Sequence, residues 1–435
     1  MNATTITSGY LESLLKCHPE KQTGAQIWLN RLRMQAFDHA GAQKLPTRRD
    51  EEWRFTDISP LTQLTYQPAK PECNLQAHDL EPWYLSETQN RLVFVDGHYA
   101  EHLSVVNTGG LTIGNLPALM SSYSTILESQ LGRHAAFDRN VFTALNTAFL
   151  HDGAVIRVPK NIAIAEPVHV LFVATQRETT SYPRCLFVCE PGSSITLIED
   201  YVALSQSAYI TNAVTEISLG ENAQARHIRI QRDGQQAFHL GSCAVSQARA
   251  SHYQSVSISL GAQISRYNLD IMLNDDAAEC TIDGLALIAD RQLADTHTRI
   301  DHFKPNGISH QQHKCIADDS AHAVFNGKIV VHPHAQRTDS SQSSRNLLLS
   351  KTAHVDTKPQ LEIFADDVKC AHGATVGQLD AEEVFYLQSR GLSEATARNL
   401  LTYAFGAEIL NRIPVASLKQ QLEQAVFSRT QGDPS

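Results

Sequence analysis

The chain has 435 residues, 42% of them hydrophobic, and a formal net charge of −10. That much apolar material excludes wholesale disorder and suffices for two or three structural units. The acid excess, with no basic stripe interleaved with aromatics, argues against a nucleic-acid partner. No apolar run approaches a membrane span, and the opening M-N-A-T-T-I-T-S-G-Y lacks the basic and apolar blocks of a secretory signal. A soluble, cytoplasmic protein is expected.

In chain order, residues 10–40 carry helical spacing, with Leu11, Leu14 and Leu15 and then Trp28, Leu32 and Met34 as apolar positions. Pro19 and Gly24 break the run. A charge-dense segment, R-R-D-E-E-W-R-F-T at 48–56, surrounds Trp53 and Phe55, and a linker with several prolines runs from Gln67 to Pro82. L-V-F-V followed by Asp96-Gly97 reads as a strand entering a tight turn, within Arg91–Tyr99. Helical spacing returns over Ser121–Phe149, through Leu127, Leu131, Phe142, Leu145 and Phe149. Residues 1–150 are therefore expected to be a mostly helical region with a short β element.

From Ala154 the pattern changes to short β-branched runs: V-I-R-V, V-H-V-L-F-V, C-L-F-V-C, S-I-T-L-I, A-V-T-E-I-S-L and H-I-R-I. Turns followed by a small residue recur between and after them, at Ser193, Ala223, Ala250, Ala262, Ala277, Ala321, Ala335 and Ala353, mostly 12 to 18 residues apart or about twice that. A loose period of this kind predicts a solenoid in which each rung stacks on its neighbour, here a mainly β, parallel β-helix or closely related solenoid over 151–378. A β-sandwich would also use many short strands, but 220 helix-free residues would need two of them.

The remainder, 379–435, is helical. Asp380, Glu382 and Glu383 open a helix that Gly391 stops, and Ser393 caps a second one bearing Leu400, Tyr403, Ala404 and Ala407. Leu418, Leu422 and Val426 mark a third after Pro414. These helices either pack on the end of the β core or form a docking module for a partner.

Three features bear on chemistry. In D-D-V-K-C-A-H-G-A-T-V-G (366–377), Cys370 and His372 stand two apart, so in a strand both leave one face about 7 Å apart. They are two candidate metal ligands, or else a buried thiol and a satisfied imidazole. Histidines crowd 297–334 as His297, His302, His310, His313, His322, His332 and His334, with Cys315 beside them, although His310 and His313 would face opposite ways in a strand. The eight cysteines are scattered without a C-x-x-C, which fits reduced thiols better than disulfides, a zinc ribbon or a closed cluster cage. Cys185 and Cys189 read as apolar core, and Asp275-Asp276 and Asp318-Asp319 as turn residues. There is no P-loop, no H-E-x-x-H and no G-x-S-x-G.

R-R-D-E-E-W-R-F-T, V-F-V-D-G at 93–97, A-V-F-N-G-K-I at 323–329, the long run 355–377 and F-Y-L-Q-S-R-G-L at 385–392 resemble the SufD-type subunits of the SUF iron–sulfur cluster assembly scaffold. The resemblance implies a non-enzymatic scaffold subunit, a right-handed parallel β-helix with helical flanks. It would pair with a SufB-like subunit, recruit a SufC-like ATPase through the C-terminal helices, and self-associate as a homodimer when isolated. It further implies a transient cluster shared with the partner at a site to which His372, with Cys370 beside it, contributes, and flavin as a candidate ligand of the complex. The alternatives are a β-helix carbohydrate-active enzyme and a SufB-like paralogue, in which Cys280 or Cys315 would be candidate sulfur acceptors.

Overall fold

The computed structural model describes residues 9–19 and 27–430, with the side chains of 429 and 430 left aside. Gly24 lies outside the described residues. The centre is a parallel β-solenoid of about eight turns, each turn contributing one strand to each of two sheets. Strands from Arg184–Cys189 through Ile210–Leu219 to His354–Ile363 stack in the first sheet; strands from Val168–Ala174 through Ser194–Ala203 to Val368–Gly377 stack in the second. From Ser194 onward successive strands begin 12 to 16 residues apart, so the spacing seen in the sequence is a half-turn of the solenoid. All six β-branched runs fall on strands.

The corners explain the recurrent small residues. Asn222, Ala250, Ala262, Ala277, Asp290, Asn306, Asp319 and Arg337 each turn the chain with φ between 51° and 69°. That left-handed conformation is tolerated best by Asn and Asp, and Ala brings only one methyl group into conflict. Ala223, Ala321 and Ala335 are the buried plugs next to such corners. The Asp275 and Asp318 carboxylates each accept a bond from the following backbone N–H at 2.8 Å, which is turn chemistry.

The Asp96-Gly97 turn is a hairpin: both residues have positive φ, and Phe94 pairs antiparallel with Tyr99. Its first strand, Asn90–Val95, also pairs in parallel with Val168–Ala174, so the hairpin covers the first rung of the second sheet. Helical spacing over Ser121–Phe149 resolves into two helices, Leu116–Gln130 and Val141–Ala148, rather than one. The break has a cause. Gly132 adopts φ 72°, and the backbone N–H groups of Gly132, Arg133 and His134 all turn toward the buried Glu216 carboxylate at 2.8–2.9 Å.

The helical regions lie along the sides of the solenoid. Tyr10, Leu14, Ala36, Phe37 and Phe142 pack with Tyr182, Ile210, Phe238 and Ile264 of the first sheet and its approach. Ile409, Leu410, Leu418, Leu422 and Val426 pack with Ile228, Ile230, Val256, Ile258, Leu285 and Ile316 of the second. Packing on the end of the β core, one of the two readings of the C-terminal helices, is thus corrected: outward-facing aliphatics make the side of the second sheet an apolar face that must be covered. Among the described residues, the end itself stays open. His354–Ile363 and Val368–Gly377 are the terminal strands of their sheets, and neither contains a buried residue.

Candidate functional site at the open rung

Cross-rung register decides what surrounds Cys370 and His372. One track of the second sheet reads Ala225, Tyr253, Cys280, Ser309, Ser340, Cys370; the track beside it reads His227, Ser255, Ile282, Gln311, Gln342, His372. Every member before the last rung is buried and faces the interior. Cys370 and His372 therefore continue two interior tracks to the point where the solenoid stops. Both tracks are polar over the final rungs. Gln342 donates to Gln311 at 2.9 Å, and Gln311 donates across the interior to Thr298 at 2.7 Å. The Ser309 and Ser340 hydroxyls lie 2.7 Å apart, and His302 Nε2 is 2.9 Å from Ser309 Oγ.

Cys370 is half-buried and packs against the main core, whereas His372 is exposed. Burial, reinforced by the Asp339 carboxylate, raises the Cys370 thiol above its ordinary range, so it holds its proton in the free chain. Among the described residues no third His, Cys, Asp or Glu joins them in a metal-sized cluster. A pair of ligands at an open rung is an incomplete coordination sphere.

Gly327 of the A-V-F-N-G-K-I segment makes room for this arrangement. A Cβ there would overlap Gln342 Nε2, so any side chain would push out the amide below His372. The polar alternation S-H-Q-Q-H at 309–313 and S-S-Q-S-S at 340–344 was visible in the sequence, but its stacking was not, because register depends on corner lengths.

The histidine stretch is not one site. His313 stacks on Phe325 with ring centroids 4.6 Å apart, and its Cβ-free neighbour Gly284 gives it space. His310, on the opposite face, is exposed and bonds Ser341 Oγ at 2.7 Å. His332 sits 3.0 Å from Asp301, and His334 is exposed. His297 belongs to a buried network: despite burial, which pulls its pKa down, Asp295 holds it above its ordinary value. Burial pulls His302 down to about 4.

Burial also pulls His313 down to about 3, and this has a testable sign. Below its ordinary value of about 6.5 the unfolded chain gains a proton that the folded chain refuses. The wild type therefore loses about 1.4 kcal/mol per pH unit at this group as pH falls from about 6.5 toward the folded value. His313→Gln lacks that loss, so its destabilisation relative to wild type should shrink by about 2 kcal/mol between about pH 7.5 and about pH 5. Urea unfolding at the two pH values checks it; a difference independent of pH would mean that His313 is not held neutral.

Cys185 and Cys189 are both in the main apolar core, and Cys280 and Cys315 are buried. Burial pushes Cys189 and Cys315 up to about 12 and Cys280 higher still. A protonated thiol inside a closed rung is a poor sulfur acceptor.

The R-R-D-E-E-W-R-F-T segment docks on the outside of the first sheet. Trp53 covers the Arg266 guanidinium at 3.8 Å, Arg266 pairs with Asp295 at 2.6 Å, and Thr56 donates to the same carboxylate. Together with Asp270, Arg299 and Lys328 it borders a polar cleft of about 830 Å³.

In the C-terminal helices, Ser393 caps as expected, accepting from the Thr396 N–H, and Asp380 caps the first helix by accepting from the Glu382 N–H. The packing face of Glu394–Leu410 is Ala397, Thr402, Gly406, Ile409 and Leu410. Leu400 and Ala404 are exposed; Tyr403 and Ala407 are half-buried, Tyr403 bonding Glu423 of the next helix. Phe385 and Tyr386 of the preceding helix, 70% and 56% exposed, add apolar surface.

A family model described as "SUF system FeS cluster assembly, SufBD core domain" matches residues 172–405, and one described as "SufBD protein N-terminal region" matches residues 5–170. The chain is similar to an iron–sulfur cluster assembly SufBD family protein of Synechocystis, with 42% identity over 412 residues, 92% of this chain and 90% of the relative. It is similar to the iron–sulfur cluster assembly protein SufD of Escherichia coli, 34% identical over 89% of this chain and 90% of that one. SufD of Bacillus subtilis is 25% identical over 97% of each chain.

Proposed function

The chain belongs to the SufBD family of iron–sulfur cluster assembly proteins, and from that membership we propose that it is a SufD-type, non-catalytic scaffold subunit acting in the cytoplasm. Its open rung pairs with a SufB-like subunit, and the nascent cluster, as cargo, forms between them. The observation that carries the proposal is the coincidence of an uncovered solenoid end with Cys370 and His372 on its interior tracks. Terminal strands present unpaired N–H and C=O groups, a template for added strands from another chain. A partner seated there would stack its own side chains above Cys370 and His372 and complete the coordination that one subunit leaves open. The thiol would lose its proton as iron binds, and release of the cluster would need only separation of a shared, incomplete ligand set. Without the partner, the same edges suit a second copy of this chain.

The C-terminal helices are proposed to hold a SufC-like ATPase through the exposed surface of Leu400 and its neighbours. Deleting these helices would not test this. It would uncover Ile228, Ile230, Val256, Ile258, Leu285 and Ile316, each worth about 1.5–3 kcal/mol when buried. Leu400→Asp is the usable probe, since Leu400 is 44% exposed. Mixed with SufB-like and SufC-like subunits, the wild type should elute as one complex on size-exclusion chromatography. Leu400→Asp should lose the ATPase and retain the SufB-like partner. Unchanged ATPase retention would refute the docking surface, and failure of the wild type to bind either subunit would refute the scaffold reading.

A further inference from the structure

One member of the histidine stretch takes part in a cluster that spacing along the chain conceals. His322 begins one strand of the first sheet, and register places His354 beside it on the terminal strand, with Asp356 two residues on. Val355 and Leu361 pack inward, so His354 and Asp356 are on the outer face, away from Cys370 and His372. His322 Nε2 lies 2.8 Å and His354 Nε2 3.3 Å from the same Asp356 Oδ2. The imidazole centroids are 5.1 Å apart, and one ligand atom from each residue lies within 4.8 Å of the other two. Among the described residues this is the group of His, Cys, Asp and Glu side chains that converges in this way.

We propose that His322, His354 and Asp356 bind one divalent first-row transition-metal ion of the Fe(II) or Zn(II) class. Two imidazole nitrogens and one carboxylate oxygen form a borderline donor set that selects such ions over Ca²⁺ or Mg²⁺. Metal–ligand bonds of about 2.1 Å place adjacent ligands of a tetrahedral or octahedral sphere roughly 3.0–3.4 Å apart. The two nitrogen–oxygen separations, 2.8 and 3.3 Å, are close to that requirement, so small side-chain rotations suffice to admit the ion. A hydrogen-bonding role alone does not require both imidazole nitrogens to aim at one oxygen. Three protein ligands leave positions open for water, which makes the bound ion exchangeable. His322 is half-buried and anchored in the second-to-last rung, while His354 and Asp356 ride on the terminal strand, so the ion also ties that strand down.

The test is titration of the full-length metal-free chain with Co²⁺, followed by its visible d–d absorption, and with Zn²⁺ by calorimetry. Both are done in wild type and in the Cys370→Ser/His372→Ala variant. One ion per chain is expected, bound equally in those two backgrounds. His354→Ala and Asp356→Asn should each weaken binding more than about tenfold, since even partners that only orient a ligand are worth 10–100-fold. His354 is exposed on the terminal strand, so its truncation should leave metal-free melting unchanged. His310→Ala, which removes another exposed imidazole, should bind as wild type does. Wild-type affinity in both His354→Ala and Asp356→Asn would overturn the assignment. So would binding that vanishes with Cys370 and His372, or no binding below millimolar metal.

Discussion

His372→Ala is expected to abolish cluster formation in the reconstituted complex while leaving subunit association and melting temperature unchanged. The imidazole is exposed at the open rung, so its truncation strands no buried partner and should cost under about 0.5 kcal/mol. Its chemical loss is complete, because Ala offers iron no ligand. Cys370→Ser should reduce cluster yield less, since the hydroxyl keeps a weak oxygen donor at the half-buried position. His313→Ala should leave yield nearest to wild type and instead lower stability, because it empties a buried stacking position against Phe325. The order of the three variants separates ligand from framework. Chemical reconstitution followed by visible absorption reads the yield, and size-exclusion chromatography reads assembly. Normal yield from His372→Ala would remove the site from the open rung; a complex that fails to assemble would make His372 an interface residue only.

Glu216→Ala should produce the largest loss of stability, about 3–5 kcal/mol, as expected when one member of a buried ion pair is removed. Glu216 is fully buried, pairs with Arg184, and accepts the backbone N–H groups of Gly132, Arg133 and His134. Burial alone would raise its pKa, but Arg184 and these donors hold it below the ordinary carboxylate value. The sign follows: the stabilisation is present above the unfolded value of about 4.3 and is lost as pH falls through the lower folded value. Removing the carboxylate leaves Arg184 the Asn146 and Thr147 side-chain oxygens and orphans the N–H groups of Gly132, Arg133, His134 and Ala135 at the break between two helices. Arg184→Met combined with Glu216→Gln should cost less than Glu216→Ala alone, because no uncompensated charge remains. Urea denaturation measures both. A loss below about 1 kcal/mol for Glu216→Ala would show that solvent reaches this carboxylate in the folded chain.

Much of the architecture is local and therefore legible. Alternation of side chains within a strand, the positive-φ corners, the Asp96-Gly97 hairpin and the caps at Asp380 and Ser393 are each decided by a few adjacent residues. The motif holding Cys370 and His372 is likewise local: two residues apart on a strand must share a face. What lies above and below a residue is not local. His322 meets His354, 32 positions later, whereas Leu293 meets His322 after 29, because the intervening corners differ in length. The interior track from Ala225 to Cys370 advances by 28, 27, 29, 31 and 30 residues, so corners of different length keep a side chain inside while changing which residue it meets. For that reason the sequence alone grouped seven histidines that the fold disperses, and missed the pairing of His322 with His354 and Asp356. It read the C-terminal helices correctly as helices, yet their place was fixed by the aliphatic outer face of the second sheet. Only the tertiary structure left the last rung uncovered, because that apolar face, and not the strand edges, is where burying the helices removes the most hydrocarbon from water.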